Sequence, residues 1–468
     1  MSLPLSEKKK RTIQFGCICI MLAIAMYGLA LSTLTTPILK SIDAMNYVSL
    51  FSILCPLGIS IMTPVGGKLG DLIGRKNIVV IPGIICILAG IGIAYIRSLV
   101  PLMICLLILG LAQGTFTAAP FIITGLIHSP QDVPKQMGFL ATAVAVGGFG
   151  GSIIAGVLTD LGFLEIAIIL PAIPLLIGIL LIGMNLPNQK REGEIHIDVA
   201  GIVTLAIALS GILLSLNFSS ALGIFHPVIL LGFAVGILAL FLLIKMEANT
   251  PEPLIPLHLF KNYKYTLFLI VGFLCYFYQN AMNIYAPISA LNVLGVSASA
   301  TGSLQLPRTL LTILLPALLG TWVGKNQKNM WIAMMLAAAL VGIPMFFLGF
   351  TTPATSLLTY FIMLAITGIA ESFRSVSITP AAQSALSVKD IGIGTSLISF
   401  SNSLSNTISS AVFGSIYNAC TVSAPSDIAA IQNGINAVFL SASAISFLGA
   451  ILVLLFIRPL YTKKDISQ

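Results

Sequence analysis

Gly66-Gly67-Lys68-Leu69-Gly70-Asp71-Leu72-Ile73-Gly74-Arg75-Lys76-Asn77 is the stretch that decides how this chain is read. It places four glycines and four charges between two long runs of hydrocarbon. The 468 residues are 57% hydrophobic and only 8% charged, with a mean hydropathy of +1.05. A water-soluble domain carries about a quarter charged residues. A short, glycine-rich, charged loop between apolar runs therefore reads as a hinge at the water face of a membrane, and the chain as an all-α polytopic membrane protein.

A hydrocarbon core about 30 Å thick needs about 20 apolar residues per crossing. On that ruler fourteen spans are expected, at 14–37, 46–66, 78–96, 99–127, 136–160, 163–185, 199–219, 224–244, 265–289, 300–323, 330–350, 355–381, 393–418 and 434–457. Charge sets the orientation. With both termini cytoplasmic, all but four of the 23 basic residues fall in cytoplasmic segments: Lys40 and Arg97 lie outside, and Arg308 and Arg374 within spans. That asymmetry satisfies the positive-inside rule, so the +8 net charge calls for no nucleic-acid partner. The basic start before the first span reads as an uncleaved helix in the cell membrane. Six of the seven cysteines fall inside spans without metal-ligand spacing and read as small apolar filler, so neither metal nor cofactor is expected.

Covalent chemistry is poorly served. The one glycine-lysine pair near a P-loop pattern, Gly67-Lys68, has Met62 where the first glycine belongs and Leu69 after the lysine. There is no H-E-x-x-H, no G-x-S-x-G and no carboxylate pair at catalytic spacing. Transport of a small molecule is the function left.

The pattern Gly67-x-Leu69-x-Asp71-x-x-Gly74-Arg75-Lys76 resembles the loop between helices 2 and 3 of the major facilitator superfamily. Gly138, Gly147 and Gly151, continuing through Ser152-Ile153-Ile154-Ala155 to Gly156, are similar to the fifth-helix glycine motif of its drug exporters. Asp198-Val199-Ala200-Gly201, Pro253-Leu254-Ile255 and Leu259-Phe260-Lys261-Asn262 resemble segments of the fourteen-span drug:proton antiporter branch. The resemblance implies two six-helix halves, 14–185 and 264–457, joined by a segment, 186–263, that holds two extra membrane helices. Cytoplasmic ends at 1–13 and 458–468 complete the chain. It also implies a gating role for Gly67, Asp71, Gly74, Arg75 and Lys76, and a cavity lined by spans 1, 4, 9 and 12. Two positions depart from the family: Gly28 and Gly110 stand where relatives carry an aspartate and an arginine linked to proton coupling.

Ionisable groups within hydrocarbon are costly enough to mark function. Glu371 and Arg374, three apart on one helix face, are the proton-coupling candidates. Read otherwise, they are a static ion pair. Arg308, after Pro307, is a candidate for an anionic substrate group. Tyr276, Gln279, Asn280 and Asn283 form a polar stripe in span 9, and Tyr27, Gln113 and Thr117 extend the candidate lining. The expected function is export of lipophilic, cationic drug-like compounds in exchange for protons by a monomer in the bilayer. The alternatives are an organic anion or metabolite carrier using Arg308 and Arg374, and a non-transporting sensor or scaffold.

Overall fold

The computed structural model describes residues 6–44, 47–187, 198–223, 225–248, 250, 253, 255–296, 303–387, 389–421 and 428–462, and every regular element in them is helical. Helix α1 (Glu7–Ser41) starts at the Ser6 cap, and α2 (Val48–Ile73) stops at Gly74, whose φ of +95° suits a residue without Cβ. Next come α3 (Asn77–Tyr95), α4 (Leu99–Thr117), α5 (Ala119–Ile127), α6 (Val133–Asp160), α7 (Leu164–Ile169) and α8 (Ala172–Asn185). Asp198 accepts from Gly201 N (2.7 Å) to cap α9 (Val199–Leu222), which turns back as α10 (Pro227–Glu247).

The short α11 (His258–Lys261) leads to α12 (Tyr263–Tyr276), a π turn at Ala281–Tyr285, and α13 (Ala286–Asn292). The chain ends with α14 (Leu306–Lys325), α15 (Gln327–Leu348), α16 (Leu357–Ser384), α17 (Ile391–Thr421), α18 (Ile428–Leu452) and α19 (Arg458–Thr462).

Among the described residues, thirteen helical segments are long and apolar enough to cross a membrane. The thirty-one-residue α17, expected as a fourteenth span, is not among them: its serines and asparagines lower its hydropathy. Three spans read as continuous are broken. Proline, lacking an N–H, accounts for the sites of two breaks: Ala118 before Pro120, and Leu170-Pro171 between α7 and α8. The third is the π turn ahead of Pro287.

Residues 13–186 build one buried apolar core, while 259–457 build others of their own. In hydrocarbon no hydrophobic force pulls helices together, so close backbone approach has to do so. Glycines supply it: a Cβ at Gly58 would lie 2.7 Å from Leu111 N, and one at Gly114 2.5 Å from Ile59 O, which zips α2 to α4.

Helix α9 lies on α2 and α17 together. Leu205, Leu209 and Leu213 join Leu57, Ile61 and Val65 of α2, with Phe400 and Leu404 of α17 packed against them. The extra helix pair thus covers a seam between the two cores. Near the two ends of the described chain, Gln14 donates to Gln136 O (3.3 Å), and the Arg458 guanidinium lies 5.6 Å over the Trp331 ring.

Candidate functional site

Two helices of the second half bring their charges to one place, and the segment from the end of α12 adds neutral partners. Arg374 and Glu371, one turn apart on α16, form a two-point ion pair, with Arg374 Nε donating to Oε2 (2.9 Å) and Nη2 to Oε1 (2.5 Å). Their side chains are 14% and 18% exposed. Tyr276 lies beneath Arg374, ring centroid 4.6 Å from Cζ. Tyr278 OH (3.3 Å) and the Gln279 amide (3.4 Å) donate to Glu371 Oε2. From α14, Arg308 Nη2 donates to Gln279 Oε1 (2.7 Å) and Tyr278 OH (3.5 Å), and Nη1 to Asn283 Oδ1 (3.3 Å). Gln279 therefore bridges the two arginine systems, and Tyr278 touches both.

Tyr278 is the site residue that sequence reading missed. Tyr276 and Gln279 belong to the expected stripe, whereas the end of α12 at Tyr276 and the turn at 277–278 leave Tyr276, Tyr278 and Gln279 all in contact with the arginines. Asn280 points elsewhere, donating to Asn406 O (2.5 Å) and Ser409 Oγ (2.9 Å), and so ties this segment to α17.

Tyr27 and Gln113, expected as lining, are buried within the first core. Tyr27 OH sits against Gly90 of α3, and Gln113 against the Cys86 thiol. The Thr117 hydroxyl is buried and has no hydrogen-bond partner. None of the three joins the Glu371 cluster. The two departures from the family separate as well. Gly28 meets open space, whereas a side chain at Gly110 would run into α2, whose Cys55 Cα lies 2.9 Å from the added Cβ. Helix contact alone requires glycine at 110.

At the 66–77 loop, Arg75 pairs with Asp71 and donates through Nη1 to Gly67 O (3.3 Å). Gly67 faces Ser396, and Gly392 in the first turn of α17 faces both members of the pair, with Asp71 Oδ2 2.8 Å from a Cβ placed there. The Asp71 carboxylate thus meets a helix N-terminus, where a negative charge is favoured. Gly74 makes the turn, and Lys76 precedes α3 outside the pair.

Further contacts join the cores on the same side. Ser60 and Ser403 hydroxyls bond at 2.7 Å, Thr142 Oγ1 donates to Ile313 O (2.9 Å), and Gln383 Nε2 donates to Phe121 O (3.1 Å). Gly138 on α6 and Gly320 on α14 interlock: a Cβ at 138 would lie 2.8 Å from Ala317 N, and one at 320 would lie 2.7 Å from Lys135 Cα. The glycine motif therefore has two addresses, because Gly147 and Gly151 pack on Leu22 and Met26 of α1, inside the first core. Gly156 has no atom within 4 Å of an added Cβ. Gly156→Ala is expected to leave transport and thermal stability within experimental error, measured on purified protein; a loss comparable to that of a Gly138 variant would contradict this packing.

Two helical halves meeting along glycine seams, with a charged cluster inside the spans, fit a membrane carrier. Among the described residues no group of three His, Cys, Asp or Glu is placed to hold a metal ion. The family model of the Major Facilitator Superfamily matches residues 15–410, and the chain belongs to that family: it is a transporter, not an enzyme. It is similar to the multidrug transporter protein MdtP of Bacillus subtilis (strain 168), 24% identical over 420 residues that cover 88% of this chain and 76% of that protein.

Among solved structures it resembles the proton:xylose symporter XylE bound to 6-bromo-6-deoxy-D-glucose, with TM-score 0.68, 14% identity and 96% of each chain covered. It also resembles the human organic anion transporter MFSD10, with TM-score 0.62, 15% identity, and 96% of this chain and all of that one covered. At such identities these two likenesses speak to the fold alone.

Proposed function

We propose that this protein is a fourteen-span, proton-coupled exporter of lipophilic, drug-like compounds in the cell membrane, working by alternating access with both termini cytoplasmic. Counting α17 as a span, despite its polar face, gives fourteen and returns both ends of the chain to one side. The halves are 14–185 and 264–457, with the extra pair inside 186–263. In this reading the 66–77 end is closed, because Gly392 against the Asp71–Arg75 pair, Ser396 against Gly67, and the Gly138/Gly320 interlock bring the halves together there. Opening that end requires these contacts to part while the other end closes.

The single observation that carries the coupling is Glu371, a carboxylate at mid-span held by Arg374, Tyr278 and Gln279. Protonation would release Arg374 and both neutral donors together, and so would change which facing state the helices prefer. Substrate and proton then work against each other through one network. One charge moving down 100 mV contributes about 2.3 kcal/mol, enough to drive useful accumulation. The name of the relative MdtP is consistent with drug export. A second reading, an organic anion or metabolite carrier, is favoured by Arg308, whose hydrogen bonds all reach neutral groups.

The test is a pH dye in energised inside-out vesicles, challenged with lipophilic cations and then with organic anions. Substrate-dependent dequenching in wild type that vanishes in Glu371→Gln is expected. Protein that accumulates compounds with no pH response would rule out proton exchange.

A further inference from the structure

Charge does not balance at the centre of the second core. Between Glu252 and Asp390 the sequence has one acidic residue, Glu371, while two arginines, Arg308 and Arg374, stand inside the spans. Arg374 occupies both oxygens of Glu371. The remaining contacts to that carboxylate come from Tyr278 and Gln279, not from Arg308.

Arg308 is left with three neutral acceptors: Gln279 Oε1, Asn283 Oδ1 and Tyr278 OH. Its Nε is buried without a hydrogen-bond partner among the described residues. A guanidinium stays protonated at any working pH. Arg308 is half-buried, and the carboxylate of Glu371 is already held at both oxygens by Arg374, so the second guanidinium lacks a hydrogen-bonded counter-ion of its own among the described residues. The same planar fork that leaves Nε idle matches a carboxylate or sulfonate at two points.

We infer that Arg308 is the docking point for a single anionic group, a carboxylate or sulfonate, on an otherwise lipophilic ligand. The ligand's oxygens take the Nε and Nη positions, and the neutral acceptors Gln279 and Asn283 give way. Arg308 lies over the Tyr278 ring, 5.8 Å from its centroid, and the Tyr276 ring lies under the neighbouring Arg374, so aromatic surface adjoins the charge and suits an aromatic body attached to the anion. The inference concerns the site used in the proposed exchange and names its substrate class. It rests on charge bookkeeping that holds whether or not protons move. The same chemistry is carried by a soluble aromatic acid and by the carboxylate of a fatty acid in the bilayer, so the source has to be separated by experiment.

The experiment is equilibrium binding to purified full-length protein in phosphatidylcholine nanodiscs, with no gradient present. Three probes share one body: pyrenebutyrate, pyrenebutanol and pyrenebutyl-trimethylammonium. Wild type is expected to prefer pyrenebutyrate over both others. Arg308→Gln should lose that preference by about tenfold or more, the scale of one charge-assisted pair. Arg308→Lys, which keeps the charge and the fold but not the fork, should fall between them.

Glu371→Gln provides a readout of opposite sign. It frees the Arg374 fork, so pyrenebutyrate should bind more tightly, and its addition should raise the melting temperature of that variant more than that of wild type. Equal binding of the three probes would overturn the inference, as would unchanged selectivity in well-folded Arg308→Gln or, should that variant not fold, in Arg308→Lys. If adding oleic acid to the discs displaces pyrenebutyrate, the anion site stands and its natural occupant is a fatty acid of the bilayer. Because no gradient is used, selective binding alongside silence in the pH-dye assay would remove proton exchange and leave this site in place.

Discussion

Replacing Glu371 with glutamine is expected to abolish substrate-driven proton movement and to destabilise the folded protein by about 3–5 kcal/mol, the usual cost of removing one member of a buried ion pair. The magnitude follows from what remains. Glutamine leaves Arg374 and Arg308 charged, close together around Gln279 and Tyr278, with no carboxylate between Glu252 and Asp390 to offset them. The double replacement Glu371→Gln/Arg374→Gln removes the pair as a unit. It should recover most of the lost stability, because a neutral, well-packed substitute for a buried pair is often no worse than the pair. Exchange should stay absent, since nothing at the site would titrate. Thermal unfolding in detergent and the pH-dye assay, run on all four members of the cycle, isolate the pair's coupling energy. A Glu371→Gln protein that melts early yet keeps wild-type exchange would show that the cluster is a passive tie.

The second large effect is expected at the Gly138/Gly320 interlock. A valine at 138 must push α6 off α14, because its Cβ alone would fall 2.8 Å from Ala317 N and nearer still to the Pro316 carbonyl. Backbone cannot step aside as a side-chain tip can, so overpacking costs about 1–3 kcal/mol. Each core is built from its own helices, and the contact lies between them. The cost therefore falls on the state closed at this end and not on the fold. A shift of about 1.4 kcal/mol changes the ratio of the two facing states tenfold.

Gly138→Val and Gly320→Val should therefore express at wild-type levels, transport at one tenth of the wild-type rate or less, and expose the seam. In a Ser396→Cys background, labelling by an impermeant maleimide from the 66–77 side should accelerate. Wild-type labelling and transport in both valine variants would mean that the halves do not need to approach here.

The membrane class, most spans and the Asp71–Arg75 pair were legible because each is a local property. Hydropathy over about 20 residues reports a crossing whatever surrounds it, and the loop's glycines and charges are contiguous. Three spans were read as unbroken even though Pro120, Pro171 and Pro287 were in view, because proline in a membrane helix is often absorbed by its neighbours. The glycine motif looked like one stripe, yet Gly138 serves the partner half, Gly147 and Gly151 serve α1, and Gly156 serves none. Spacing shows which residues share a face, not what stands opposite.

The candidate site divides along the same line. That Glu371 and Arg374 would meet followed from a separation of three on one helix. That Arg308 would come within reach of Gln279 Oε1 while remaining without a carboxylate depended on α14 packing beside α12 and α16, far away in sequence. Tyr278 enters the site, and Asn280 turns to α17, beside the break in helical geometry at 277–278. Tyr27 and Gln113, polar on apolar helices, were indistinguishable by pattern from cavity lining and proved to be enclosed in the first core. The sequence by itself determined what must cross the membrane and which charges must be held there, since the solvent enforces both residue by residue. Only the tertiary structure decided which of those charges meet, because that depends on the packing of helices that share no local signal.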